Sequence, residues 1–245
     1  MRFQKAGGGE VERSTLLEGI PGARFHDGCR LGFGPDGKLY ITTGDARMEA
    51  LAQDTTSLAG KILRINPDGT IPPDNPFAGS PIWSYGHRNP QGMAWQPATA
   101  RLFITEHGTG GVNEVNVIVK GGNYGWPIER RGEPRGDFIG PLLRHDGPPA
   151  GAVFVTGHRY PGLEGDLLFV TLATQDLRRV VLREQGEPAV GRVERHLKGE
   201  LGRLRAIVEG PDGYLYVTTS NRDGRGAPKR VDDRVIRLTP AQRSR

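Results

Sequence analysis

Short apolar runs, five or six residues long and rich in β-branched and aromatic side chains, recur along the chain between glycine- and proline-rich polar segments. Four of them resemble one another: Lys38-Leu39-Tyr40-Ile41-Thr42, Arg101-Leu102-Phe103-Ile104-Thr105, Leu167-Leu168-Phe169-Val170-Thr171 and Tyr214-Leu215-Tyr216-Val217-Thr218. Such runs suit a pleated sheet. Three follow a tight turn or an acidic glycine step: Gly34-Pro35-Asp36-Gly37, Gly165-Asp166 and Gly210-Pro211-Asp212-Gly213. Pro-Asp-Gly supplies the fixed φ, the side-chain acceptor and the positive-φ residue that a hairpin needs. A second apolar run follows each, over residues 61–65, 114–119, 177–182 and 234–238. The unit is therefore strand, polar loop, strand. Its equivalent leucines, 39, 102, 168 and 215, lie 63, 66 and 47 residues apart. A blade-sized period of short strands and glycine turns predicts an all-β protein, a β-propeller. A sandwich would also give many short strands, but not this recurrence in the same order.

The polar loops between paired strands are where a propeller places its chemistry. The first runs from Gly44-Asp45-Ala46 to Gly60, and Met48, Leu51 and Leu58 in it suggest a short helix. The second is Glu106-His107-Gly108-Thr109-Gly110-Gly111-Val112-Asn113, and the last is Ser220-Asn221-Arg222-Asp223-Gly224-Arg225-Gly226. Between repeats, Ile82 to Gly92 sets His87, Arg88 and Asn89 side by side, and its glycines and proline predict a loop rather than a helix. These side chains can hold a ligand or satisfy buried backbone groups, and residue types alone leave both open. No linker divides the chain, so residues 1–245 are expected to form one propeller domain. Val11-Glu12-Arg13 reads as the remnant of a strand from an earlier blade.

Composition narrows the function. Gly (37) and Pro (19) without a collagen period indicate turns, not disorder. A net charge of +5 permits nucleic-acid binding, but the arginines are scattered and form no basic block or helix, which points away from that partner. Cys29 is the single cysteine, which excludes an internal disulfide and a cysteine-rich zinc site. No run of 18 apolar residues offers a membrane span. The first residues of this chain have no signal-peptide pattern.

Six histidines are present. His26 precedes the first repeat strand beside a glycine step, where an imidazole can point into a channel as a general base or simply lie on a surface loop. His87 and His107 lie in polar loops, and His145, His158 and His196 have no partner pattern and are read as surface residues. No His-x-x-x-His spacing exists, which argues against a zinc hydrolase. Arg203 and Arg205, at i and i+2, share a face if that segment is a strand. They form either a cradle for a carboxylate or phosphate, or a solvated edge. Oxygen-rich residues between Glu106 and Tyr124 can suit calcium, although no EF-hand spacing is present.

Taken in series, His26-Asp27-Gly28-Cys29-Arg30-Leu31-Gly32-Phe33-Gly34-Pro35-Asp36-Gly37, Gly86-His87-Arg88-Asn89-Pro90-Gln91-Gly92, Glu106-His107-Gly108, Gly121-Gly122-Asn123-Tyr124-Gly125-Trp126-Pro127 and Arg203-Leu204-Arg205 before Gly210-Pro211-Asp212-Gly213 resemble one family. It is the soluble aldose sugar dehydrogenases of the glucose/sorbosone type, which use pyrroloquinoline quinone (PQQ). The resemblance runs from about residue 25 to the end. It implies a six-bladed propeller with about four to five blades present here, the N-terminal blades being absent, and PQQ held by Ca²⁺. It implies that His26 removes the proton from the C1 hydroxyl of an aldose while hydride passes to PQQ. Arg88, Asn89, Arg203 and Arg205 take cofactor-contacting positions, and Thr171, Leu172 and Ala173 a cofactor-lining strand end. Gly108, Thr109, Glu114 and Tyr124 take positions associated with calcium. The partners implied are an aldose and an external electron acceptor, with no nucleic acid and no membrane span, in the periplasm or outside the cell.

The chain departs from the pattern at Thr109, which stands where the family has proline, and at Cys29, where glycine is common. Residues 128–133 replace an aromatic-rich stretch, and Ala173 stands where some relatives carry lysine. A second reading, favoured by the missing blades and the altered stretch, is a non-catalytic propeller that binds a protein or glycan. A third, a calcium-dependent hydrolase, would need a cluster of channel carboxylates.

Overall fold

The computed structural model describes residues 2–5, 11–129, 136–183 and 186–240. The chain forms two compact units: Met1–Asn89 with Val119–Ile128 and Arg135–Ile139, and Pro90–Ile118 with Glu129–Pro134 and Gly140–Arg245. Apart from one short 3₁₀ turn at Glu49–Ala52, the regular structure among the described residues is β-strand. That turn is where the spacing of Met48, Leu51 and Leu58 suggests a helix. No helix among the described residues is long and apolar enough to cross a membrane.

In the first unit, strands β1 (Arg2–Lys5) and β2 (Val11–Ser14) pair as an antiparallel ribbon. Strands β3 (Leu31–Phe33), β4 (Leu39–Thr42), β5 (Lys61–Ile65) and β6 (Ile82–Tyr85) form an antiparallel sheet in chain order. Ile41, Leu63, Ile65 and Ile82 make its core. The segment 119–128 lies along the end of β6: Tyr85 N donates to Gly122 O (3.0 Å) and Tyr124 N to Tyr85 O (2.9 Å). That contact brings Trp126 into this unit.

The second unit holds three sheets. The first is β7 (Pro90–Trp95), β8 (Leu102–Glu106), β9 (Asn113–Ile118) and β10 (Leu143–His145). The second is β11 (Pro149–Phe154), β12 (Leu167–Thr171), β13 (Leu177–Leu182) and β14 (Val190–His196). The third is β15 (Leu204–Glu209), β16 (Leu215–Thr219) and β17 (Val235–Arg237). All pairings are antiparallel and follow chain order. Of the first strands of the three sheets, β11 packs against both β7 and β15. Glycines permit this close approach: a Cβ on Gly92 would stand 2.3 Å from Ala150 O, and one on Gly151 would stand 2.9 Å from Ala206 Cα. Strands β5, β8 and β12 are buried at every position, which accounts for the apolar residues that dominate them, although Lys61, Arg64 and Glu106 are buried there too.

The repeat seen in the sequence is a repeat in structure. Asp36 accepts from Tyr40 OH (3.1 Å) and Asp212 from Tyr216 OH (2.7 Å). Gly37 and Gly213 take φ of 72° and 74°, and a Cβ on Gly34 or Gly210 would strike Tyr40 or Tyr216. One expectation needs correcting. Ile82 to Gly92 is not a single loop: it comprises the end strands β6 and β7 joined by the four-residue connection Gly86 to Asn89. Polar Ser84 obscured the strand. Its side chain is buried because its hydroxyl lies 2.9 Å from His87 Nε2.

Candidate active site

In the first unit the chain carrying His26 crosses under the end of β4. His26 has φ 66° and its carbonyl accepts from Ala46 N (3.1 Å). A Cβ on Gly44 would lie 1.8 Å from His26 O, so only glycine fits there. Asn89 Oδ1 accepts from Gly28 N (3.0 Å), which ties the connection between β6 and β7 to the His26 loop. His26 Nδ1 lies 2.8 Å from Asp45 Oδ1. The Asp45 side chain is wholly buried, and its other oxygen accepts from Trp126 Nε1 (2.9 Å). Arg47 N also donates to Asp45 Oδ1 (2.9 Å). Because the carboxylate faces Nδ1, that nitrogen carries the proton and Nε2 offers its lone pair. The His26 side chain keeps 14% of its surface exposed, enough to meet a small substrate. The Arg88 guanidinium carbon lies 5.3 Å from the Trp126 ring centre, and Arg88 O accepts from Asp45 N (2.8 Å). His26, Arg88 and Asn89, singled out from the sequence, thus meet around two residues it did not flag for chemistry, Asp45 and Trp126.

Two other predicted positions in this unit have internal duties. His87 is fully buried and stacks on Tyr124 with ring centres 4.6 Å apart. The Tyr124 hydroxyl accepts from Val119 N (2.9 Å). Cys29 is exposed at the surface, but protein packed around part of the side chain desolvates the thiol and raises its pKa, the reverse of a reactive thiolate.

In the second unit, Arg203 Nε and Nη2 donate to one oxygen of Asp223 (3.0 and 2.8 Å), and Arg205 Nη2 reaches the same oxygen (3.4 Å). The two arginines do share a face, but a carboxylate of the chain sits on it. Asn221 Oδ1 accepts from Arg203 N (2.8 Å) and fixes the start of the strand. Among the sequence-flagged residues, Thr171 and Leu172 are buried. The Thr171 hydroxyl donates to Asp176 (2.5 Å), and Ala173 is the exposed member of the three.

Glu106 and Glu114 face each other across β8 and β9. Asn116 Nδ2 donates to both, each at 3.3 Å. Burial, then the neighbouring Glu106 charge, raises the Glu114 pKa to about 7. Asn116 Oδ1 and Glu129 Oε1 are buried with no hydrogen-bond partner among the described residues. A Cβ on Gly108 would lie 2.0 Å from Val112 O, and Thr109 O accepts from Val112 N (3.1 Å). This is an oxygen-rich region, with Arg144 opposite Glu114 as its neighbouring positive charge. No group of three or more His, Cys, Asp or Glu among the described residues is arranged to hold a metal, so a cation here would need backbone oxygens as well. Of residues 128–133, those from 130 onward lie outside the described residues.

The antiparallel sheets, following one another in chain order, define an all-β protein of the β-propeller class. The model of the Glucose / Sorbosone dehydrogenase family matches residues 2–228, and the chain belongs to that family, in its soluble PQQ-dependent branch. It is 36% identical over 221 residues to the aldose sugar dehydrogenase YliI of Escherichia coli, covering 81% of this chain and 58% of that protein. Another curated relative, a Synechocystis protein, is 35% identical, and the chain covers 55% of it. The chain therefore spans a little over half the length of these two curated relatives. Among solved structures, a Thermus thermophilus oxidoreductase described as a glucose dehydrogenase superposes with a TM-score of 0.84 at 43% identity, covering 96% of this chain and 76% of that one. The PQQ-bound aldose sugar dehydrogenase of Streptomyces coelicolor gives 0.83 at 40% identity, covering 94% and 67%.

Proposed function

We propose that the protein oxidises the C1 hydroxyl of aldose sugars with PQQ as the electron acceptor, and that His26 is the general base. The observation that carries this reading is the His26–Asp45–Trp126 chain of hydrogen bonds. When bound, PQQ supplies the two-electron acceptor that takes hydride from C1. His26 Nε2 takes the hydroxyl proton, and the buried Asp45 carboxylate offsets the charge that the imidazole then gains. Trp126 Nε1 keeps the carboxylate from rotating away. Arg88 places positive charge in the same unit, suited to an electron-rich oxygen.

Two features support the cofactor side. Arg203 and Arg205 present paired guanidiniums of the kind that bind carboxylates, and would hold those of PQQ. Ala173, at the end of β12, would line the cofactor, with Thr171 and Leu172 supporting it from beneath. The donor set of the second unit offers oxygens to a hard cation: the Glu114 carboxylate, facing Glu106 across the sheet, and the backbone oxygens of Gly108 and Thr109. These residues would hold Ca²⁺, and Tyr124 remains a calcium position only by the family resemblance. The test is to titrate the full chain with PQQ and Ca²⁺ by calorimetry and to assay dye-linked oxidation of aldoses. Saturable binding with sugar-dependent dye reduction supports the reading, and neither heat nor turnover overturns it.

A further inference from the structure

Lys61, the first residue of β5, is fully buried, and the mechanism above leaves it unused. Among the described residues, no carboxylate forms an ion pair with its ammonium. Its Nζ donates instead to three backbone carbonyls: Leu51 O (2.7 Å), Ala52 O (3.1 Å) and Ala59 O (2.6 Å). All three belong to the loop that begins at Asp45. A primary ammonium has three N–H groups, and here each finds one oxygen. The arrangement is that of a metal ion in a carbonyl cage, built from a side chain. Desolvation lowers its pKa to about 8, with Asp54 the charged group opposing that shift, so the ammonium remains protonated at neutral pH.

The cage leads to the active site through a chain of hydrogen bonds. Ala52 O also accepts from Gly86 N (2.9 Å), at the connection that carries Arg88 and Asn89. The next residue, Gln53, donates through Nε2 to Trp126 O (2.6 Å) and exchanges side-chain hydrogen bonds with Asn123. Trp126 in turn holds Asp45, and Asp45 holds His26. We propose that Lys61 is a positioning residue: its ammonium gathers the carbonyls of residues 51, 52 and 59, and so fixes the loop that aims Asp45 and Trp126 at His26. Its consequence for turnover rests on the reading of His26 as the base, but the geometric claim does not.

The experiment follows the indole N–H of Trp126 and the ring nitrogens of His26 by NMR in the cofactor-free full chain. Lys61→Ala removes three methylenes and the ammonium, the equivalent of n-propylammonium. In K61A both signals should move toward solvent-exposed values, and millimolar n-propylammonium should restore them while 1-propanol should not. Lys61→Met fills the volume without charge and should show the same displaced signals in a folded protein. Wild-type His26 and Trp126 signals in folded K61M, or equal rescue by 1-propanol, would overturn the proposal and leave Lys61 a packing residue. Should K61A fold only with n-propylammonium present, the proposal stands, and if 1-propanol folds it equally, the proposal fails. The reconstituted K61M enzyme should lose at least tenfold in turnover with aldose KM little changed. Displaced signals with no PQQ turnover in the wild type would support the positioning role while refuting the dehydrogenase reading.

Discussion

Asp45 Oδ1 lies 2.8 Å from His26 Nδ1 although the two residues are 19 positions apart, and the carboxylate is sealed from solvent. A buried carboxylate aimed at one ring nitrogen sets the tautomer and leaves the other nitrogen basic. Asp45→Asn keeps the volume but lets the amide present N–H to Nδ1, which favours the wrong tautomer. Turnover with an aldose should fall by roughly 10²-fold or more, with the thermal midpoint changed by only a few degrees. Steady-state rates beside a melting curve check it, and a variant within threefold of wild type would refute the role of Asp45.

Gly44 shows how tightly the loop is built. A Cβ there would overlap His26 O, at 1.8 Å, whereas one on Gly79 would meet nothing within 4 Å. Gly44→Ala should cost about 1–3 kcal/mol and displace His26, with activity falling further than stability. Gly79 takes φ 71°, so Gly79→Ala serves as the control: backbone strain of about 1 kcal/mol without loss of activity. Urea unfolding with parallel rates separates the two.

His145 gives a pH signature. Burial, and secondarily the Arg178 charge, lowers its pKa to about 4 from an ordinary 6.5. Its ring centre lies 4.9 Å from that of Phe169. Between these values the unfolded chain binds a proton that the folded one refuses, so stability falls as pH drops from 6.5 to 4. His145→Leu should lose less stability over that window, by on the order of 1–3 kcal/mol relative to wild type. Chemical unfolding at pH 7 and at pH 4.5 measures the difference, and parallel losses in the two proteins would contradict it.

Asp223 holds Arg203 through two nitrogens. Its pKa is lowered; burial opposes that shift, while the Arg203 hydrogen bond and charge produce it. Asp223→Asn should weaken the pairing and destabilise the protein by roughly 1–3 kcal/mol. It should also change PQQ affinity, because the guanidiniums that would receive the cofactor lose their fixed orientation. Calorimetric titration of the variant reads both sign and size, and unchanged affinity would remove Arg203 from the proposed cofactor set.

The blade repeat was legible because tight turns and buried central strands leave strong local marks. Pro-Asp-Gly before Tyr40 and Tyr216 produced the same hairpin twice, and all eight repeat runs are strands within a residue or two at each end. Strands β3, β10 and β14 were missed because they are short or exposed along much of their length, and β7 and β11 because each begins with proline and carries a glycine two residues on, which reads as a turn. His26, Arg88 and Asn89 could be picked out by type and neighbourhood. Asp45 could not, since one aspartate after a glycine is ordinary and its meaning comes from Trp126, 81 positions away. Nor does a lysine opening an apolar strand announce that it will be buried with three carbonyls, because nothing local marks the partners.

The central claim is that His26 takes the proton as C1 is oxidised. The direct measurement compares wild type and His26→Asn, both loaded with PQQ and Ca²⁺, on an aldose deuterated at C1. The account predicts sugar-dependent dye reduction with a primary isotope effect in the wild type, and a loss of roughly 10²-fold or more in a folded H26N that still binds PQQ. Turnover in H26N within a few fold of wild type would contradict it.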